Sequence, residues 1–161
     1  MNIATGIWAD AAETVNEHCF KDTVAYKMQL LSRLLQSDYM ARIASTGVAP
    51  AQAYVLGELW IEEPLSQVEL ARRLEIGKAS TGKTLARLEA AGLIDRRRNQ
   101  DDRRVITVHL TDKGRAVRDQ LQTAAVDQDV HIHQLMGEDR LAQTIRLIDV
   151  MIRGFQENQG G

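Results

Sequence analysis

With a single cysteine, Cys19, the 161-residue chain has no internal disulfide, and without Cys pairs or repeated His/Cys spacings it offers no structural zinc site. Of its four histidines, His131 and His133 lie two apart on a predicted helix and so point to different faces, which argues against a shared metal ion. Prolines number only two, Pro50 and Pro64, and aromatics make up 4%. Together with abundant Leu, Ala, Arg and Glu, that scarcity predicts a mainly helical chain. No stretch approaches the roughly eighteen apolar residues of a membrane span. The first twenty residues, MNIATGIWADAAETVNEHCF, lack a basic segment followed by a continuous apolar one, so a cytoplasmic protein with no membrane partner is expected. Walker, G-x-S-x-G and H-E-x-x-H patterns are missing, as is any acid pair spaced for general acid/base work. The expectation is therefore a non-enzyme without a cofactor.

Net charge is also small, at -2, but it is unevenly placed. Residues 66–118 hold 13 Lys and Arg against 7 Asp and Glu, and the remaining residues hold 7 against 15. Such a dipolar chain meets a polyanion on one side only. The densest positive stretch, LIDRRRNQDDRRVITVHLT, places Arg96, Arg97, Arg98, Arg103 and Arg104 within nine positions.

Around that stretch the local signals are specific. In PLSQVELARRLEI, Ser66 followed by Glu69 is a capping-box spacing, and Val68, Leu70, Ala71 and Leu74 give a short helix with one apolar face. Gly77 breaks the chain, and KASTGKTLARLEAAGL forms a second helix with Leu85 and Leu88 inward and Gly92 at its C-terminal end. Two short helices joined by a tight turn form a helix-turn-helix. The polar side of the second helix carries Lys78, Ser80, Thr81, Lys83, Thr84 and Arg87, hydroxyls and cations suited to base edges and phosphates in a major groove. Gly82 within it marks close approach either to DNA or to the preceding helix. LIDRRR and RVITVHL then read as two strands joined at NQDD, a β-hairpin with Ile106, Val108 and Leu110 alternating with Val105, Thr107 and His109. Its arginines sit at the tip, within reach of phosphates or a narrow minor groove.

VAPAQAYVLGELW, PLSQVELARRL, ASTGKTLARLEAAGLIDRRR and DDRRVITVHLTDKGR, taken in that order, resemble the winged helix-turn-helix regulators of the MarR family over residues 25–155. The resemblance implies that Arg104 enters the minor groove while Asp102 holds its guanidinium, with Arg98 and Arg103 beside them. It also implies a homodimer on double-stranded DNA at a palindromic operator, acting as a repressor and released by a small-molecule effector. The implied organisation is a first dimerisation helix within residues 1–47, a winged domain at 48–112, and C-terminal dimerisation helices at 113–161. Ala49 stands where the family usually has a Ser or Thr cap, with Pro50 at the first helical position as partial compensation. Ala53 replaces a frequent large aromatic, which favours a ligand bulkier than a simple phenolic acid.

The flanks carry apolar seams of their own. Val117, Leu121, Ala124, Gln128, Ile132 and Leu135 alternate at three and four residues; Leu141, Ile145, Ile148, Ile152 and Phe155 do the same, and Met28, Leu31, Leu35 and Ile43 line a third helix. Such seams meet another subunit. The effector pocket is expected near Tyr26, Arg33, Tyr39, Arg42, Ala53, Tyr54 and Trp60. Two alternatives are a redox-sensing regulator using Cys19, and a winged-helix module that binds protein or RNA without operator specificity. In the first of these the family's sensing cysteine would fall at Ala25, and Tyr39 matches one of its tyrosines.

Overall fold

A computed structural model describes residues 20–99 and 102–159, so Cys19 and the wing-turn residues Gln100 and Asp101 lie outside the described residues. Two compact units are present, Met1–Asp38 and Tyr39–Gly161. In the first, a 3-10 turn at Phe20–Asp22 leads into helix α1, Val24–Ile43, whose residues from Tyr39 onward belong to the second. The helix starts where the Thr23 hydroxyl accepts the Tyr26 N–H at 3.2 Å, a side-chain cap for an otherwise orphan donor.

The second unit contains α2 (Pro50–Ile61), β1 (Leu65–Ser66), α3 (Gln67–Arg73), α4 (Lys78–Ala90), β2 (Ile94–Arg98), β3 (Ile106–Leu110), α5 (Asp112–Ala116), α6 (Arg118–Met136) and α7 (Glu138–Gln159). Helix α2 begins without a capping hydroxyl, as Ala49 requires; Gln52 Oε1 accepts the Ala49 N–H at 2.8 Å instead. At α3 the Ser66 hydroxyl accepts the Glu69 N–H at 3.0 Å, but the Glu69 carboxylate turns to Arg72 and Arg73, so the expected reciprocal box is only half formed. Helix α4 closes with a six-to-one bond, Leu93 N–H to Leu88 O at 2.9 Å, and a five-to-two bond, Gly92 N–H to Glu89 O at 2.9 Å. Gly92 sits at φ +70, the left-handed conformation this closure demands and that lacks a steric penalty only in glycine.

One face of each of α2, α3 and α4 builds the core: Val55, Leu56 and Leu59, then Leu70, then Leu85 and Leu88, are fully buried. Ile43, Leu121 and Ala124 complete it from the neighbouring helices. The expected hairpin is part of a three-stranded antiparallel sheet ordered β1-β3-β2, with Leu65 opposite Val108 and Ile94 opposite Leu110. Val108 and Leu110 are buried, while Ile106, nearer the tip, is 39% exposed. The apolar half of β3 thus roots the hairpin and its outer half projects.

Seam residues of the C-terminal helices divide. Leu121 and Ala124 of α6 are core residues, whereas Leu135 is exposed. On α7, Leu141 is buried, but Ile145, Leu147, Val150, Ile152 and Phe155 are exposed. Among the described residues no helix is long and apolar enough to cross a membrane.

Gly114 in α5 lies under the end of the wing, where an added Cβ would meet Leu93 O at 2.0 Å. That neighbour is backbone and cannot swing away. Gly114→Ala should therefore lower the unfolding free energy by about 3 kcal/mol or more, read as a shifted midpoint in urea. Native-like stability would show that α5 is not held against the wing root.

Candidate nucleic-acid interface

Helix α4 sorts its side chains by face. Leu85 and Leu88 point inward, and Ser80, Lys83, Thr84 and Arg87, at helical spacings of three and four, share the outer face with Lys78 at the start. Thr84 donates its hydroxyl proton to Ser80 O at 3.1 Å and keeps an acceptor outward. Lys78, Ser80, Lys83 and Arg87 are exposed. A Cβ on Gly82 would come within 3.3 Å of Gln67 Nε2, so the glycine faces the preceding helix and lets α3 and α4 approach closely.

The basic block separates into two populations. Arg73, its side chain 22% exposed, is held by Glu69 at 2.9 Å, by Glu62, and by Glu58 at 3.6 Å; Arg72 also takes Glu69. Arg96 donates Nε to Glu89 Oε2 at 2.9 Å, and Arg115 donates to both oxygens of Glu63 at 2.6 and 3.0 Å. Arg97 pairs with Asp95 at 3.3 Å on the exposed side of β2. Among the described residues, Lys78, Lys83, Arg87, Arg98, Arg103 and Arg104 have no carboxylate partner. These six lie on the outer face of α4 and at the outer end of the hairpin; of the block's other cations without an acid, Lys113 donates to Ala91 O at 2.8 Å and Arg118 lines the cavity described below.

The wing turn is built by its own side chains. Asn99 Oδ1 accepts the Asp102 N–H at 3.1 Å, and Asn99 N–H and Val105 O close the strands at 2.9 Å. Asp102 Oδ1 accepts the backbone N–H of Arg104 at 2.9 Å.

A second feature lies between α2 and α6. A cavity of about 390 Å³ is lined by Tyr39, Ala53, Tyr54, Gly57, Glu58, Trp60, Ile61, Leu74, Arg118, Leu121, Gln122, Ala125 and Gln128. Tyr39 donates its hydroxyl to Leu121 O at 3.2 Å, and burial, with the neighbouring Tyr54, pushes its phenol above the usual value. Trp60 Nε1 donates to Gly114 O at 3.3 Å.

A family model described as MarR family matches residues 46–105, the span from before α2 through the wing turn. Over 145 residues the chain is 25% identical to the transcriptional regulator MgrA of Staphylococcus aureus, covering 89% of this chain and 97% of MgrA. Residues 46–105 therefore carry a MarR-family domain. The chain's fold is similar to that of the transcriptional repressor CouR bound to a 23-mer DNA duplex, with a TM-score of 0.75, 25% identity, and coverage of 90% of this chain and 96% of CouR. Bordetella bronchiseptica BpsR, solved to explain regulation of its DNA binding by 6-hydroxynicotinic acid, is similar at a TM-score of 0.77 and 21% identity, covering 83% of this chain and 96% of BpsR. The relatives that the chain matches are transcriptional regulators rather than enzymes, and CouR shows a protein of this fold on DNA.

Within that family frame two expectations change. Thr81 is fully buried and donates its hydroxyl to Gly77 O at 3.2 Å, so it belongs to the inner face of α4 with Leu85 and Leu88, at i, i+4 and i+7, and not to the groove-facing set. Asp102 binds the backbone N–H of Arg104 rather than its guanidinium; it shapes the turn and leaves the cation outward. The cavity gathers Tyr39, Ala53, Tyr54 and Trp60 of the expected pocket residues. Arg42 is not in its lining, and Tyr26 and Arg33 belong to the first unit, where Tyr26 packs edge-on against Phe20. Gly57, Glu58, Arg118 and Gln122 were missed; only the spacing of Gly57 four residues after Ala53 marks the cavity in the sequence.

The glutamate pairs give a pH signature. Arg96 holds the Glu89 carboxyl below its ordinary 4.5, Arg115 does the same for Glu63, and Arg72 with Arg73 lowers Glu69 to about 2. A carboxylate depressed in the folded state stabilises fully above its unfolded value and loses that contribution as pH falls through the folded one. The melting temperature should be level from pH 7 to about pH 5 and fall below it, and Glu89→Gln should flatten part of that acid fall. An unchanged acid limb in Glu89→Gln would remove the Arg96 pair from the account.

Proposed function

We propose that the protein is a homodimeric repressor of a palindromic operator, released when a small organic ligand fills the cavity between α2 and α6. The observation that carries the DNA reading is the set of six cations on the outer face of α4 and the wing that have no carboxylate partner among the described residues, while the other arginines of the block are bound to acids or, in the case of Arg118, line the cavity. A helix in the major groove supplies Lys78, Ser80, Lys83, Thr84 and Arg87, and the wing supplies Arg98, Arg103 and Arg104, with Asp102 shaping its turn.

Support for the dimer comes from α7, whose exposed Ile145, Ile152 and Phe155 form a seam that a lone chain leaves in water, and from α1, which exposes Leu30, Leu31 and Leu34. A two-fold pair would set recognition helices roughly 34 Å apart, one turn of duplex. The effector reading rests on a cavity in the size range of small-molecule sites, with Ala53 buried at its floor and room beyond a simple phenolic acid.

Selection from a randomised duplex pool should return inverted half-sites, bound far more tightly than random duplex and with steep salt dependence. Arg104→Ala should weaken that complex at least tenfold while the dimer persists in analytical ultracentrifugation; native affinity would reject the wing contact. Arg87→Ala should either reduce the salt slope by about 1 or relax preference at one base pair. Neither change would take α4 out of the interface.

A further inference from the structure

Resting on the effector reading of the α2–α6 cavity, we infer that Glu58 is the positioning residue that transmits occupancy of that cavity to the helix-turn-helix, through its contact with Arg73. Arg73 at the end of α3 faces three carboxylates. Glu62 and Glu69 hold it by direct hydrogen bonds, whereas Glu58 Oε2 stands 3.6 Å from its Nη1, an electrostatic contact too long for a hydrogen bond. Of the three acids, only Glu58 also lines the cavity, and Leu74, the residue after Arg73, lines it as well. The cavity wall and the end of α3 therefore share one carboxylate and one apolar side chain.

Because the long contact is the weakest of the three, it is the one an occupant changes first. A ligand in the cavity meets Glu58, and whether it donates a hydrogen bond to the carboxylate or displaces it, Arg73 is left on Glu62 and Glu69 alone. Glu62 and Glu69 lie at the end of α2 and on α3 itself, so α3 stays folded and stays on the end of α2 but loses its charged contact with the cavity wall. Helix α3 touches α4 closely, with Gln67 against Gly82, and a shift of α3 moves the face that carries Lys83 and Arg87.

Position 57 allows a test without any ligand. Gly57 lines the cavity, and a Cβ built there meets nothing within 4 Å, so Gly57→Leu fills the space from within. Affinity for the selected palindromic duplex is measured for the native protein, Gly57→Leu, Glu58→Gln and the double variant, at one salt concentration, after thermal melts show each one folded. Each single variant is expected to weaken binding at least tenfold, and the double variant to stay within threefold of the weaker single one, because both act through one contact. If Gly57→Leu weakens binding but the two losses multiply, the transmission through Glu58 is wrong and the effector cavity stands. Native affinity in Glu58→Gln overturns the transmission too, and native affinity in Gly57→Leu overturns both readings. Should Gly57→Leu fail to fold, Ala125→Leu fills the cavity from α6 and is read by the same criteria.

Discussion

A hairpin that carries like charges at its tip is useful only if its root cannot move, and here one carboxylate ties the root together. Glu63, just past the end of α2, accepts the Leu110 N–H at 2.8 Å with the same group that binds Arg115 of α5. The end of α2 is thereby tied to β3 and α5, 47 and 52 residues further along the chain. Around it the Thr111 hydroxyl donates to Gly92 O at 2.7 Å, Gly114 lies beneath Leu93, and Ile94, Val108 and Leu110 are buried. Strand β3 is bonded on both sides, to β1 and β2, so its inner half has no free edge to slip along.

The same acids decide which arginines remain available. A guanidinium close to a folded carboxylate is tied to the scaffold, and leaving it for phosphate would cost a hydrogen-bonded pair. Glu58, Glu62 and Glu69 occupy Arg73, Glu89 occupies Arg96, and Glu63 occupies Arg115. Apart from Arg118 at the cavity and Lys113 on Ala91 O, what is left in the block lies on one face of α4 and on the outer end of the wing. The charge excess of residues 66–118 is thus divided between cations that hold the lobe together and cations that face outward.

Much of this lobe was legible because its signals are local. Ser66 three residues before Glu69, Gly92 after an apolar i, i+3 pair, and the alternation Ile106, Val108, Leu110 each concern neighbours in sequence, and each appears as cap, helix closure and strand. What stayed hidden depends on partners far along the chain. Strand β1 is two residues long and exists only because Leu65 and Ser66 meet β3. Glu63 reads as an ordinary surface acid until Leu110 and Arg115 are brought to it. Thr81 looks polar in sequence, yet its hydroxyl is satisfied by the helix itself at Gly77 O, which lets it be buried. The α6 seam resembles the α7 seam in spacing, but only packing reveals that Leu121 and Ala124 are already covered whereas Ile152 and Phe155 are not.

The division of the arginines is the claim on which the account of DNA binding stands, and a crystal structure of the protein on its selected palindrome reads it directly. The account predicts Lys78, Lys83, Arg87, Arg98, Arg103 and Arg104 against phosphates or base edges, with Arg73, Arg96 and Arg115 still on their glutamates. Arg96 or Arg73 released onto the duplex, or wings that stand clear of it, would contradict the account.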